Sequence, residues 1–144
     1  HGSDGLTVSQ KWGDGLSTFH GMHSRVLPNS FFFVPAHSGF TATYTYSLDE
    51  QSIHLADILK KAKEQGATRI EASEEAEEKW INTIVEKARL TATFQENCTP
   101  GYYNNEGKVN QTPQNNTYGG GPIEFFSLMK KWRTKDNLEG LELS

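Results

Sequence analysis

Hydrophobic and polar positions change period several times along this chain. Ser30-Phe31-Phe32-Phe33-Val34 is one apolar run, too short for a helix and rich in aromatic residues, and it predicts a buried strand. Pro35-Ala36-His37-Ser38-Gly39 breaks it with turn residues. From about Thr43, Leu48, Ser52, Ala56, Leu59 and Lys63 fall on one helical face, which Ile53 and Ala62 widen. Gly66 stands where a C-terminal cap belongs. Strand, loop and helix in this order predict a unit of the open α/β kind. Its helix start offers free N–H groups to something anionic or polar.

On either side of this unit the pattern is less regular. Residues 1–29 are punctuated by Gly2, Gly5, Gly13, Gly15 and Gly21, which leaves short extended pieces at 6–9 and 16–20. Lys11-Trp12-Gly13-Asp14-Gly15 predicts a turn between those pieces. A short extended link follows at 67–71. Ser73 is then a good N-cap, and Glu74, Glu75, Glu77 and Glu78 load the first turns with charge that suits the helix dipole. Ala76, Trp80, Ile84, Ala88 and Thr91 recur at helical spacing, so a helix over 74–91 is expected, with its acid run a solvated face. Periodicity is lost over 94–121, a polar stretch too long for an idle connection. Pro122 opens a last helix, marked by Ile123, Phe126, Met129, Lys130 and Trp132 and running to about Thr134. Leu138, Leu141 and Leu143 form a short extended tail.

Composition narrows the field. At 144 residues the chain has the size of one ordinary domain. With 22% charged residues and a net charge of −4, it lacks a nucleic-acid footprint. No apolar run approaches the roughly 20 residues that a membrane span needs. His1-Gly2-Ser3-Asp4 shows no leader pattern and Cys98 is the single cysteine, so a reducing, cytoplasmic setting is the expectation. The Asn-x-Thr triplets at Asn97, Asn110 and Asn115 then read as accidents of composition.

Side-chain chemistry adds little. His20 and His23 lie three apart without the carboxylates of a zinc pattern, so structural histidines and no metal are expected. Cys98 reads as a small half-buried residue. No G-x-S-x-G or G-x-G-x-x-G occurs, and no strand leads into Gly119-Gly120-Gly121.

An ordered set of segments says more. Asp4-Gly5-Leu6-Thr7, Lys11-Trp12-Gly13-Asp14-Gly15, Phe19-His20-Gly21 and Leu27-Pro28-Asn29-Ser30-Phe31-Phe32 resemble the C-terminal part of Baeyer–Villiger monooxygenases. The resemblance continues through Leu48-Asp49-Glu50-Gln51, Gly66-Ala67-Thr68-Arg69 and the stretch from Asn97-Cys98-Thr99-Pro100 to Gly107-Lys108. It closes with Gly120-Gly121-Pro122-Ile123-Glu124-Phe125-Phe126 and Leu138-Glu139-Gly140-Leu141. The closing segments look like the longer branch that accepts bulky or large-ring ketones.

The resemblance implies an α/β chain in two parts. Residues 1–66 would hold the terminal strands and helix of an FAD-binding, Rossmann-like domain, and residues 67–144 a helical and irregular tail that wraps it. It implies FAD and NADPH as cofactors and oxygen insertion beside a ketone carbonyl to give an ester or lactone. The family's dinucleotide fingerprints and its catalytic arginine have no counterpart here. The expectation is therefore a C-terminal fragment, inactive alone, whose partner is the missing N-terminal portion or a separate chain supplying it. A non-catalytic interaction module, or one half of a split enzyme, are the alternatives. No catalytic residue is assignable. Thr45 and Tyr46 are expected to offer helix-start N–H groups to the pyrimidine edge of the flavin, where negative charge gathers on reduction. Phe40, Thr41 and Ala42 match the substrate-lining loop. Tyr102 stands near the position of an NADP contact in shorter members.

Overall fold

A computed structural model describes residues 1–3, 5–88, 97, 99–101, 106 and 113–144. In chain order these form α1 (Val8–Lys11), α2 (Tyr44–Glu64), β1 (Ile70–Ala72), α3 (Glu74–Ala88), a 3₁₀ turn (Pro113–Asn115), α4 (Gly121–Thr134) and β2 (Leu141–Leu143). Three long helices surround one aromatic core. Phe19 from the N-terminal loops, Ile58 from α2, Trp80 and Ile84 from α3, and Phe125 and Trp132 from α4 meet there.

The expected link after α2 and the expected C-terminal tail prove to be each other's partner. Ile70 pairs with Leu143 and Ala72 with Leu141, antiparallel, which closes the chain end back onto the start of α3. Among the described residues this is the whole sheet. The fold is thus mixed, mainly helical with a two-stranded sheet.

The run 30–34 is not a strand of it. These residues take no regular structure and are half-buried, and Phe32 N–H donates to the Met22 carbonyl at 2.9 Å without a ladder on either side. Phe31 packs on the core and Phe32 meets Trp12 edge-on at 4.8 Å. A strand needs a neighbour to pair with, and among the described residues none lies here. The triple phenylalanine is therefore neither a central rung nor an outer surface.

Two further departures concern local register. The piece expected to be extended at 6–9 instead runs into α1 from Val8, because Thr7 as N-cap and Gln10 form a reciprocal capping box, with the Gln10 N–H on Thr7 Oγ1 at 3.2 Å and the Thr7 N–H on Gln10 Oε1 at 2.9 Å. In α2 the buried face is Ser47, Gln51, His54, Ile58 and Ala62, whereas Ile53, Ala56 and Leu59 of the expected inner face lie outside. Helix α3 follows its expected stripe, with Trp80, Ile84 and Ala88 buried and Glu77 added to it. Helix α4 buries Phe125, Phe126, Met129 and Trp132 and leaves Ile123 in solvent.

The end of α2 is where the sequence put it. Gly66 has φ +72°; its N–H bonds to the Lys63 carbonyl at 3.0 Å, and the Ala67 N–H reaches the Ala62 carbonyl at 3.0 Å. Together these form a Schellman cap, which wants a residue without Cβ. No neighbour would touch a Cβ at Gly66, so Gly66→Ala carries only the backbone penalty. That substitution is expected to lower stability by about 1 kcal/mol in urea unfolding. An unchanged midpoint would show that the left-handed cap is absent in solution.

Candidate functional site

Two helix N-termini open onto one groove. Helix α2 supplies Tyr46 from its first turn and Glu50 from its second, and the first turns of α4 supply Pro122, Ile123 and Phe126, with Thr41 from the loop before α2 at the rim. The groove holds about 410 Å³. Tyr46 stands edge-on to Phe126 with ring centroids 5.3 Å apart, which joins the two helices at this point.

The loop that delivers α2 is held from both sides. Gly39 lies so close to Phe125 that an added Cβ would meet the Phe125 Cβ at 2.8 Å and its ring at 2.9 Å, which lets α4 pack directly on the backbone. Ser47 Oγ then donates to the Gly39 carbonyl at 3.2 Å, and the Thr43 N–H donates to Thr41 Oγ1 at 2.9 Å. At the N-cap, Thr43 makes no side-chain hydrogen bond to the helix, and the first turn contains no acidic residue. Neither the N-cap nor the first turn of α2 therefore offsets the positive end of the helix with a side chain. By contrast, α4 carries Glu124 in its first turn. Lys87 at 2.8 Å and the Tyr118 hydroxyl at 2.6 Å hold that carboxylate below its ordinary pKa.

Of the site residues expected from sequence, Thr45 and Tyr46 lie exposed in the first turn of α2, and Phe40, Thr41 and Ala42 form the loop just before it. Tyr46 and Thr41 share the groove. Phe40 is 43% exposed and does not line it. Tyr102 and Cys98 lie outside the described residues. Pro122, Ile123 and Phe126 were marked in the sequence only as the start of a helix; nothing local ties them to residues 41–50, some 80 positions away.

The same two helices, α2 and α4, also border a buried polar cluster. His20 and His54 have ring centroids 5.6 Å apart, and both pack against Trp132, at 5.4 and 5.0 Å. Nδ1 of His20, Nε2 of His23 and both ring nitrogens of His54 lack a hydrogen-bond partner. Burial pushes His23 down to about 4. It takes His54 to about 3, helped by His23, Arg133 and Lys61. His20 falls well below its ordinary value through burial first, then His54 and His23. His37 is different in kind. Its Nε2 bonds to the Gln114 carbonyl, so Nε2 carries the proton and Nδ1 accepts the Thr18 hydroxyl at 2.8 Å. Burial still takes it to about 4 against the upward pull of Gln114 and Glu77. Among the described residues no group of three or more His, Cys, Asp or Glu is arranged to hold a metal ion. No described helix is long and apolar enough to cross a membrane.

No family model matches the chain. Individual relatives do. Pentalenolactone D synthase of Streptomyces exfoliatus is 43% identical over 143 residues, which is 99% of this chain and 24% of that protein. The Baeyer–Villiger monooxygenase ATR8 of Stachybotrys chlorohalonatus is 33% identical over 145 residues, again 99% of this chain and 23% of the relative. Among solved structures, the polycyclic ketone monooxygenase of Thermothelomyces thermophila matches the whole chain with TM-score 0.91 and 28% identity, over 24% of its own length. A closed cyclohexanone monooxygenase shares the fold with TM-score 0.80 at 23% identity. In sequence over 98–99% of its residues and in fold over all of them, this chain matches FAD-binding and Baeyer–Villiger monooxygenases, and it spans about a quarter of the length of the relatives it matches.

Proposed function

We propose that the chain is the C-terminal portion of a flavin-dependent Baeyer–Villiger monooxygenase and that it contributes the start of α2 to the flavin site. In this reading residues 1–66 finish a Rossmann-like FAD-binding domain and residues 67–144 wrap it, in the cytoplasm. FAD, reduced by NADPH, supplies the oxygen chemistry that turns a bulky or cyclic ketone into an ester or lactone. The chain's own part is electrostatic and steric. The observation that carries this is the first turn of α2, which lacks a side-chain cap and any acidic residue and adjoins a groove lined by Tyr46 and Phe126. Such a helix end stabilises negative charge through fixed N–H dipoles that need no reorganisation when the charge appears. Thr45 and Tyr46 would offer those groups to the flavin's pyrimidine edge. Phe40, Thr41 and Ala42 would border the ketone, and Tyr102 would lie towards NADP.

Neither glycine fingerprint of a dinucleotide site is in the sequence, so most of the flavin's contacts have to come from elsewhere. The isolated chain mixed with FAD and desalted is expected to emerge colourless. Co-expressed with the remaining portion of such an enzyme, it is expected to retain flavin and to support ketone-dependent NADPH oxidation. Thr45→Asp, which sets a negative charge at the helix start, should then lower the flavin midpoint potential. A yellow isolated chain would contradict the fragment reading, and an unmoved potential would contradict the role of α2.

A further inference from the structure

Helix α2 is mounted with its polar side inward. Ser47, Gln51 and His54 are 3%, 4% and 1% exposed, while Ile53 and Leu59 on the opposite side are 46% and 44% exposed, with Ala56 exposed between them. The inner face is not well served by this arrangement, since Gln51 Nε2 and both nitrogens of His54 have no hydrogen-bond partner. Buried polar groups left this way cost folding energy.

The helix is not free to roll the apolar stripe inward. Lys61 Nζ donates to the Arg133 carbonyl at 2.7 Å and pairs with Asp136 at 3.0 Å. Arg133 lies 3.8 Å from Glu50, and Ser47 is tied to Gly39. Contacts at the start, middle and end of α2 therefore fix its rotation. The register makes physical sense when something else takes the apolar side out of water.

We infer that Ile53, Ala56 and Leu59 form a docking stripe whose occupant is the polypeptide making up the other three quarters of the monooxygenase. This rests on the fragment reading above. Three observations favour that occupant over a second copy of the chain. Relatives that match the chain along nearly all of its length are about four times as long. The fold of the chain is kept inside the Thermothelomyces enzyme, where it makes up about one quarter of the length. The stripe is also narrow and interrupted by Asp49, Ser52, Lys60 and Lys63, which are exposed on the same side. A stripe this narrow and interrupted gives a second copy little continuous apolar surface, whereas a stable dimer interface buries about 800 Å² on each partner.

The test replaces the matching segment of the Streptomyces exfoliatus pentalenolactone D synthase with this chain and carries Leu59→Cys in both the chimera and the isolated chain. Maleimide labelling at that position is followed by peptide mass, and FAD retention after desalting is read separately. Labelling is expected to be at least tenfold slower in the chimera than in the isolated chain, while the isolated variant keeps the parent's melting temperature. Protection without bound FAD upholds the stripe and counts against the flavin role of α2. Equal labelling rates in a chimera that holds FAD overturn the stripe and leave the fragment reading intact. Equal rates without FAD overturn the stripe as well. Sedimentation of the isolated chain as a dimer that Ile53→Glu dissociates assigns the stripe to a second copy, and so overturns the assignment made here.

Discussion

Taking the chain from pH 7 to pH 5 is expected to remove most of its folding stability. In the unfolded chain each histidine titrates near 6.5. In the fold, burial holds His23 and His37 at about 4 and His54 at about 3, and His20 is depressed as well. All four are lowered, so the unfolded state binds more protons below pH 6.5. Stability is then full above that value and is lost as the pH falls, until the folded values are reached. At pH 5 each such imidazole costs about 2 kcal/mol, so three of them cost about 6 kcal/mol, comparable with the whole stability of a small domain.

The window from 6.5 to 5 belongs to the imidazoles. Glu71, Glu124 and Glu139 are held below their ordinary values and titrate lower still. Urea unfolding followed by tryptophan fluorescence reports directly, because Trp80 and Trp132 are ring neighbours of His20. His54→Gln removes one titrating group and should flatten the pH slope by about 1.4 kcal/mol per unit. Equal midpoints at pH 7 and pH 5 would mean that the cluster is open to water.

The second large effect is expected at Glu77. Its carboxylate is buried and accepts Lys11 Nζ at 2.7 Å, Ser24 Oγ at 3.0 Å and the Arg25 N–H at 2.8 Å. One side chain thus fastens α3 to α1 and to the loop that carries His20 and His23. Glu77→Ala strands the Arg25 amide and one end of a buried ion pair, and is expected to cost about 3–5 kcal/mol. Glu77→Gln keeps the size and part of the bonding and should cost less, about 1–2 kcal/mol. Glu75→Gln, on the exposed side of the same helix, should stay within about 0.5 kcal/mol of the parent. A Glu77→Ala protein within 1 kcal/mol of the parent, itself a value on the order of surface substitutions, would refute the fastening role.

Glu77 also shows how far pattern reading reaches. It sits three residues before Trp80 and belongs to the stripe with Ile84 and Ala88, so its burial was readable from spacing alone. The surrounding Glu74, Glu75 and Glu78 hid it, because a run of like charges ordinarily faces water. The strand expected at 30–34 failed for another reason. Aromatic content identifies a segment that suits a sheet, but only a second strand can complete the pairing.

Helical periodicity, the glycine cap after α2 and the order of the matching segments were settled by local chemistry, and they sufficed to place three long helices and to reach the family. Which face of α2 turns inward, which two short segments pair at the end of the chain, and that α2 and α4 open on a common groove were decided only by tertiary contacts. Propensity and capping act within a few residues of themselves. Burial depends on a partner that the neighbouring sequence does not name, and for α2 that partner is Arg133 and its helix, 70 or more positions away.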